Sequence, residues 1–426
     1  MRLLPPARPL VVALALPVLL AAQPANPRGR DLGIPFPGIP GPRNAITDVA
    51  GVEVGHVTLL AGEGALVPGK GPIRTGVTAI LPRGQGNWDF VMAATFNQNG
   101  NGDMTGVNWI AESGFLEGPF LITGTHSVGT VRDAAVQWQL RRGRRFVFTY
   151  PVVAETFDVL NDDKGGHVRA EHAIAALDAA RGGAVTEGAV GGGTGMMCNG
   201  FKGGIGTSSR VVRAAGRAWT LGVLVQCNYG RTADLRILGA PVGREIADRA
   251  ACATLPQTRW FMEGTRPCAA PAGASPARDA ATAGDDMRPA ASGADAATPF
   301  GRGSIIVVVA TDAPFVSHQL ARLARRVGMG LGTLGATASN GSGDLFLAFS
   351  TANPAAGRPD SVATLRMLPN DEIDPFFRAT IEATEEAVVN AMLAAPDVFT
   401  GVDGLRVRGL PGARVVEALR KYGRMK

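Results

Sequence analysis

Aromatic side chains supply only 6% of this 426-residue chain and charged ones only 18%, against 46% hydrophobic residues. So little charge beside so much apolar surface excludes a chain that stays disordered throughout. The one dense basic cluster, Arg141, Arg142, Arg144 and Arg145, contains no aromatic residue and belongs to no recognition motif. It reads as the solvated end of a helix rather than a nucleic-acid surface. Metal hydrolysis lacks its markers: there is no His-Glu-x-x-His pair, and Cys198, Cys227, Cys252 and Cys268 match no zinc spacing. A Gly-x-Ser-x-Gly elbow is also missing, which removes the usual sign of an α/β-hydrolase. His56, His126, His167, His172 and His318 are scattered, so spacing supports no His-based triad. No metal or cofactor is therefore expected.

Glycine is abundant instead, with 57 residues beside 29 prolines, the composition of a turn-rich, closely packed globular protein. The length admits one large core or two ordinary ones. The formal charge of +6 comes from 42 basic and 36 acidic residues spread along the chain. MRLLPPARPLVVALALPVLLAAQPANP places Arg2 and Arg8 ahead of an apolar run from Leu10 to Leu20, then small residues and prolines. This is the layout of a secretory signal over residues 1–23, too short for a comfortable permanent span. Export to the periplasm or beyond is the expectation, with no membrane attachment once the signal is removed. An oxidising compartment permits disulfides. Cys252 and Cys268, which flank an irregular region, are the expected pair.

That region, residues 263–302, has almost no large apolar residues and no sustained period, so it should be a mobile insertion. Before it, VEVGHVTLL (52–60), GVTAILPRG (76–84), FVMAATFNQ (90–98), FVFTYPVVA (146–154) and WTLGVLVQCNY (219–229) read as strands. Residues 131–142, 168–180 and 241–253 read as helices. After it, 304–314 and 344–352 read as strands, and 316–327, 371–395 and 413–424 as helices. The near-continuous apolar strands predict sheets covered by helices. Two glycine motifs carry no nucleotide site: in GALVPGKG (64–71) Gly71 stands where a P-loop needs Ser or Thr, and GLGTLG (330–335) follows a helix rather than a strand.

Residues 301–314, GRGSIIVVVATDAP, set a choice. Ser304 can be an ordinary strand start. Alternatively, cutting the bond after Gly303 would leave Ser304 with a hydroxyl and a free α-amine on one rigid strand. An α-amine titrates near pKa ~8 and can take the hydroxyl proton at neutral pH, so no histidine is needed. The residues by themselves leave both readings open.

SIIVVVATDAPF (304–315), GGGTGMMCNGFKGGIGTSSR (191–210) and NGSGDLFLAFSTAN (340–353) resemble the DmpA-type family of self-processing aminopeptidases. Residues 30–59, 151–162 and 225–246 resemble it in the same order. The resemblance implies a four-layer αββα sandwich, like that of N-terminal-nucleophile hydrolases but connected differently. It implies a single catalytic domain over 30–426, cut between Gly303 and Ser304 into fragments 30–303 and 304–426, and a homotetramer of such units. Carried over, Ser304 is the nucleophile, and Ser342 and Asp344 hydrogen-bond the nucleophile and its amine. Asn228 donates to the oxyanion, and Glu155 holds the ammonium of a small peptide or amide substrate. Asp344 is one methylene shorter than the family's Glu, and Phe157 replaces a Tyr of some members. The GGGTG and FKGGIGTSSR segments are expected to be loops beside the site.

The implied activity is removal of N-terminal residues from small peptides, amides or esters bearing a free amine. An acyltransferase of the ornithine acetyltransferase type, which cuts before Thr, and a catalytically silent binding protein are the alternatives.

Overall fold

The computed structural model describes residues 26–262, 265–268, 303–357 and 362–426. The expected signal over 1–23 and all of the 263–302 insertion except residues 265–268 lie outside the described residues. In chain order the strands are β1 Glu53–Ala61, β2 Ile73–Leu81, β3 Val91–Gly100, β4 Phe115–Leu116, β5 Phe120–Gly124, β6 Val152–Thr156, β7 Met197–Cys198, β8 Phe201–Lys202, β9 Gly204–Ala214, β10 Arg217–Asn228, β11 Cys252–Ala253, β12 Ser304–Thr311, β13 Gly343–Ser350, β14 Phe399–Thr400 and β15 Leu405–Val407. The helices are α1 Val107–Ser113, α2 Val128–Arg141, α3 Ala170–Asp178, α4 Val242–Glu245, α5 Ser317–Thr333, α6 Asp374–Leu393 and α7 Gly412–Lys421.

Two sheets form the centre: one of four strands ordered β1-β2-β5-β6, the other of six ordered β4-β3-β13-β12-β10-β9. β12 runs parallel to β13 and antiparallel to β10. Strand alternation assigns the layers, because successive side chains point to opposite faces. Ile306, Val308 and Ala310 of β12 join Ile80, Ile122, Val152 and Ala154 in a core between the sheets. Ile305, Val307 and Val309 face the other way, into the core cluster that also takes in buried residues of α5, α6 and α7. On the far side, Val77, Ala79, Leu121 and Val153 pack under α2 and α3. The result is the expected helix-sheet-sheet-helix sandwich. A run of β-branched residues suits β12 because both of its faces are buried.

Several local expectations need correction. FKGGIGTSSR is not a loop: Gly204–Ala214 is an eleven-residue strand, hidden in the sequence because its buried polar groups are satisfied internally. Thr207 Oγ1 donates to the Val223 carbonyl at 2.7 Å and Ser208 Oγ to the Ala383 carbonyl at 2.6 Å. The expected strand over 146–154 begins only at Val152, just after Pro151, which has no N–H to give a ladder. Val147 and Phe148 are left exposed. The expected helix over 241–253 shrinks to Val242–Glu245, since Ile246 leaves helical geometry. GLGTLG lies largely within the last turn of α5, and no helix follows GALVPGKG, so neither glycine motif has the context of a phosphate site. Cys252 and Cys268 are bonded as expected, and Cys198 and Cys227 form a second disulfide that the sequence reading left unassigned.

Candidate active site

Ser304 opens β12 opposite Asn228, the last residue of β10. By alternation its side chain shares the inter-sheet face with Ile306, and the residue is 5% exposed. Its Oγ accepts a hydrogen bond from the Gly343 N–H at 3.1 Å. Gly343 can approach because it lacks a side chain: an added Cβ would meet the Asn101 carbonyl oxygen at 2.3 Å. Directly after it, the β13–β3 register shifts between Asp344 and Leu345. Such an irregularity re-aims side chains where a regular ladder would not.

The peptide before Ser304 is gripped from both sides. A Cβ on Gly303 would meet the Asn228 carbonyl oxygen at 1.8 Å, so glycine alone fits. The Gly303 carbonyl oxygen lies within hydrogen-bond reach of Ser342 Oγ. Ser342 Oγ is also 2.5 Å from Asp344 Oδ1. One hydroxyl carries one hydrogen and cannot donate to both oxygens. Both contacts are satisfied if Asp344 holds a proton, donates to Ser342, and Ser342 donates to Gly303. Burial favours that state by pushing the Asp344 carboxyl above its ordinary pKa, against the pull of the Ser342 and Ile305 hydrogen bonds.

Asn228 is held through both ends of its carboxamide. Its Oδ1 accepts from the Met197 N–H at 2.8 Å, and its Nδ2 donates to the Phe157 carbonyl at 2.9 Å. One N–H of Nδ2 is left for a reacting group. Glu155, at the end of β6 and 3% exposed, accepts from the Asp103 N–H at 3.0 Å and from the Thr125 hydroxyl. Burial pushes its carboxyl pKa up, and those two donors oppose the shift. His126 follows Thr125 and bonds the Asp163 carbonyl at 3.1 Å, so it lies nearer this site than the scattered histidine positions suggest. The half-buried Phe157 stacks edge-on to Phe261 with centroids 6.0 Å apart, and Phe261 meets Trp260 at 5.7 Å. The three rings therefore form one aromatic cluster that begins at Phe157, whose carbonyl accepts from Asn228.

All the residues expected from the sequence thus fall at one end of the two sheets: Gly303, Ser304, Ser342, Asp344 and Asn228 in direct contact, with Glu155 and Phe157 at the adjoining end of β6. What the sequence reading missed is the hairpin β7–β8. Its turn residues Asn199 and Gly200 both have positive φ, 49° and 76°. Asn-Gly is the strongest short hairpin signal, and it was there to be read. The hairpin delivers the Met197 N–H and the buried Lys202, and the Cys198–Cys227 disulfide ties it beside Asn228. Among the described residues no three His, Cys, Asp or Glu side chains gather as a metal site.

Residues 44–407 match the model of peptidase family S58. The chain is 49% identical over 407 residues to a beta-peptidyl aminopeptidase BapA of Sphingosinicella microcystinivorans, covering 95% of each protein. It is 43% identical over 421 residues to another of Sphingosinicella xenopeptidilytica, covering 97% of this chain and 96% of that one. Among solved structures it superposes on an L-aminopeptidase D-Ala-esterase/amidase from Ochrobactrum anthropi with a TM-score of 0.78, at 40% identity over 94% of this chain and 100% of that one. That protein is described as a prototype of the serine aminopeptidases and a new variant of the Ntn-hydrolase fold. A Burkholderia β-aminopeptidase superposes with a TM-score of 0.75, at 44% identity over 93% of this chain and 99% of that one. By the family-model match over residues 44–407 and the identity to these relatives over nearly its whole length, the chain belongs to peptidase family S58, the serine aminopeptidases with a variant Ntn-hydrolase fold.

Proposed function

We propose that the protein cuts its own chain between Gly303 and Ser304 and then acts as a serine aminopeptidase on small peptides, amides or esters with a free amine. N-terminal β-residues are included among the substrates, in keeping with the names of its relatives. The observation that carries the proposal is the grip on the Gly303–Ser304 link. The carbonyl to be attacked faces Ser342, while the attacking Oγ sits on the Gly343 N–H.

In the first reaction Ser304 Oγ attacks the Gly303 carbonyl carbon, and Ser342 supports the negative oxygen that forms. Breaking the C–N bond moves the Oγ proton to the departing nitrogen and leaves an ester, which water hydrolyses to a Gly303 carboxylate. The freed α-amine then takes the Ser304 Oγ proton in each turnover, as a general base of pKa near 8 does well at neutral pH. Ser304 attacks the substrate carbonyl, the spare Asn228 N–H supports the oxyanion, and the amine product leaves with the proton. Water releases the acyl group. A preorganised donor of this kind contributes about 3 kcal/mol to lowering the barrier.

Glu155 supplies the exopeptidase preference. A carboxylate buried this deeply is costly when unpaired, so an ammonium group is bound and a blocked N-terminus is rejected. Export belongs to the same proposal: two disulfides among the described residues suit an oxidising compartment. Intact mass and N-terminal sequencing test the proposal. The expected product begins SIIVVV, and Ser304→Ala is expected to stay uncut and release no p-nitroaniline from aminoacyl p-nitroanilides. An uncut protein with full activity overturns it. Light scattering on the cut protein checks the expected tetramer.

A further inference from the structure

Lys202 is completely buried, and no carboxylate pairs with it among the described residues. Its Nζ instead donates to three backbone carbonyls, Gly193 at 3.1 Å, Met196 at 2.8 Å and Gly203 at 2.7 Å, and lies 5.0 Å from the centre of the Phe399 ring. An ammonium has three donors and no acceptor, so three carbonyls satisfy it completely. A neutral amine would turn its lone pair toward one of those oxygens. Burial pulls the lysine pKa well down, so the charge depends on these carbonyl dipoles and on the aromatic face.

One of the three carbonyls has a special neighbour. The Met196 C=O and the Met197 N–H belong to the same peptide unit, and that N–H donates to Asn228 Oδ1 at 2.8 Å. The chain of contacts therefore runs from a buried cation, through a peptide, into the carboxamide whose remaining Nδ2–H faces the reaction. Linked hydrogen bonds polarise one another, most strongly away from water. A cation on the carbonyl makes the peptide N–H a stronger donor, and a stronger donor on Oδ1 makes Nδ2–H a stronger donor in turn.

We infer that Lys202 is a positioning residue that orients and polarises the Asn228 carboxamide through the Met196–Met197 peptide. The inference rests on the reading of Asn228 as the oxyanion donor. Lys202→Gln keeps two N–H donors to hold the hairpin and removes the charge. The test measures kcat and KM of the cut protein for Lys202→Gln, Asn228→Ala and the double variant, with each preparation normalised to its SIIVVV-beginning fragment. The expected result is a loss of tenfold or more in kcat for Lys202→Gln with KM within twofold, and less than a twofold further loss when Asn228 is already alanine. Equal losses in both backgrounds, or a change in KM alone, overturn the inference and leave Asn228 its role. An Asn228→Ala variant with unchanged kcat overturns the parent reading instead. Should Lys202→Gln fail to fold, the unaltered protein still decides. The Met197 amide proton is expected far downfield of the other hairpin amides in the NMR spectrum, and an ordinary shift overturns the inference.

Discussion

Gly303 lies flat against Asn228, with room for hydrogen but not for a methyl group: an added Cβ would sit 1.8 Å from the Asn228 carbonyl oxygen. The obstacle is backbone at the end of a central strand, which cannot swing aside as a side chain can. Gly303→Ala is therefore expected to displace the Gly303–Ser304 link from Ser342 and slow self-cleavage at least tenfold. A time course of full-length and cut bands checks this, and cleavage at the ordinary rate would count against the packing described.

Ser342 supplies the hydrogen bond facing the Gly303 carbonyl. Removing one donor from a developing oxyanion typically lowers a rate by about 10²- to 10³-fold. Ser342→Ala is expected to accumulate as uncut chain, with Ser342→Thr retaining measurable cleavage because its hydroxyl remains.

If Glu155 holds the substrate ammonium as proposed, it governs both substrate choice and one limb of the pH profile. Glu155→Gln keeps the shape and removes the charge, and a charge-assisted hydrogen bond is worth about 1.5–3 kcal/mol. The expected loss in kcat/KM for free-amine substrates is therefore on the order of 10- to 100-fold, with little change for N-acetylated analogues, which are poor substrates already. Because burial pushes the Glu155 pKa up, its protonation as the pH falls begins above the ordinary glutamate range near 4.3. KM for an aminoacyl p-nitroanilide should rise on that acid limb and stay flat in Glu155→Gln.

Asp158 links folding stability to pH through its burial. It is deeply buried, and burial pushes its pKa up to about 7 from an ordinary value near 4. A raised pKa means the folded protein binds this proton more tightly than the unfolded chain. The resulting stabilisation is complete below about pH 4 and lost as the pH rises through 7. Asp158→Asn, which can still accept from Asn161, should raise Tm at pH 8.5 by several degrees relative to the unaltered protein. The gain should shrink or vanish at pH 5. Calorimetry at the two pH values is the check, and a gain of equal size at both would rule the explanation out.

The two disulfides should differ in what they protect. Cys198 adjoins Met197 and Cys227 adjoins Asn228, so their bond fastens the donor N–H beside its acceptor. Cys252–Cys268 closes a loop at the small β11-β15-β14 sheet. Replacing Cys198 and Cys227 by alanine should lower kcat several-fold, whereas replacing Cys252 and Cys268 should lower Tm and leave kcat close to normal. Steady-state kinetics beside thermal melts distinguish the two.

The layered architecture was legible because β12, β13, α5 and α6 have apolar patterns long enough to be unambiguous. At Ser304 the residues alone allow both a strand start and a nucleophile ahead of a cut, because a small residue opening a buried strand suits either, and the family resemblance is what points to the second. β9 was not, because Thr207, Ser208 and Ser209 look like loop residues until the strand's own neighbours satisfy their hydroxyls. Lys202 was hidden for a similar reason: no pattern marks a cation whose counter-charges are carbonyl oxygens. The Asp103 N–H and the Thr125 hydroxyl that hold Glu155 come from distant parts of the chain, and only the fold brings them together.

In the six-stranded sheet, β12 and β13 lie between β3 and β10. The inner pair follows residue 303 and the outer pair precedes it, so the proposed scission at that point would leave two polypeptides interleaved like the fingers of two hands. Neither could be withdrawn without tearing the β10–β12, β3–β13 and β11–β15 ladders. Denaturing the cut form would then separate two chains that no longer share the tether that once made their assembly unimolecular. Regaining the native state would then require two strangers to meet in solution, which turns a one-time peptide break into a ratchet: easy to pass as a nascent chain, and hard to pass again.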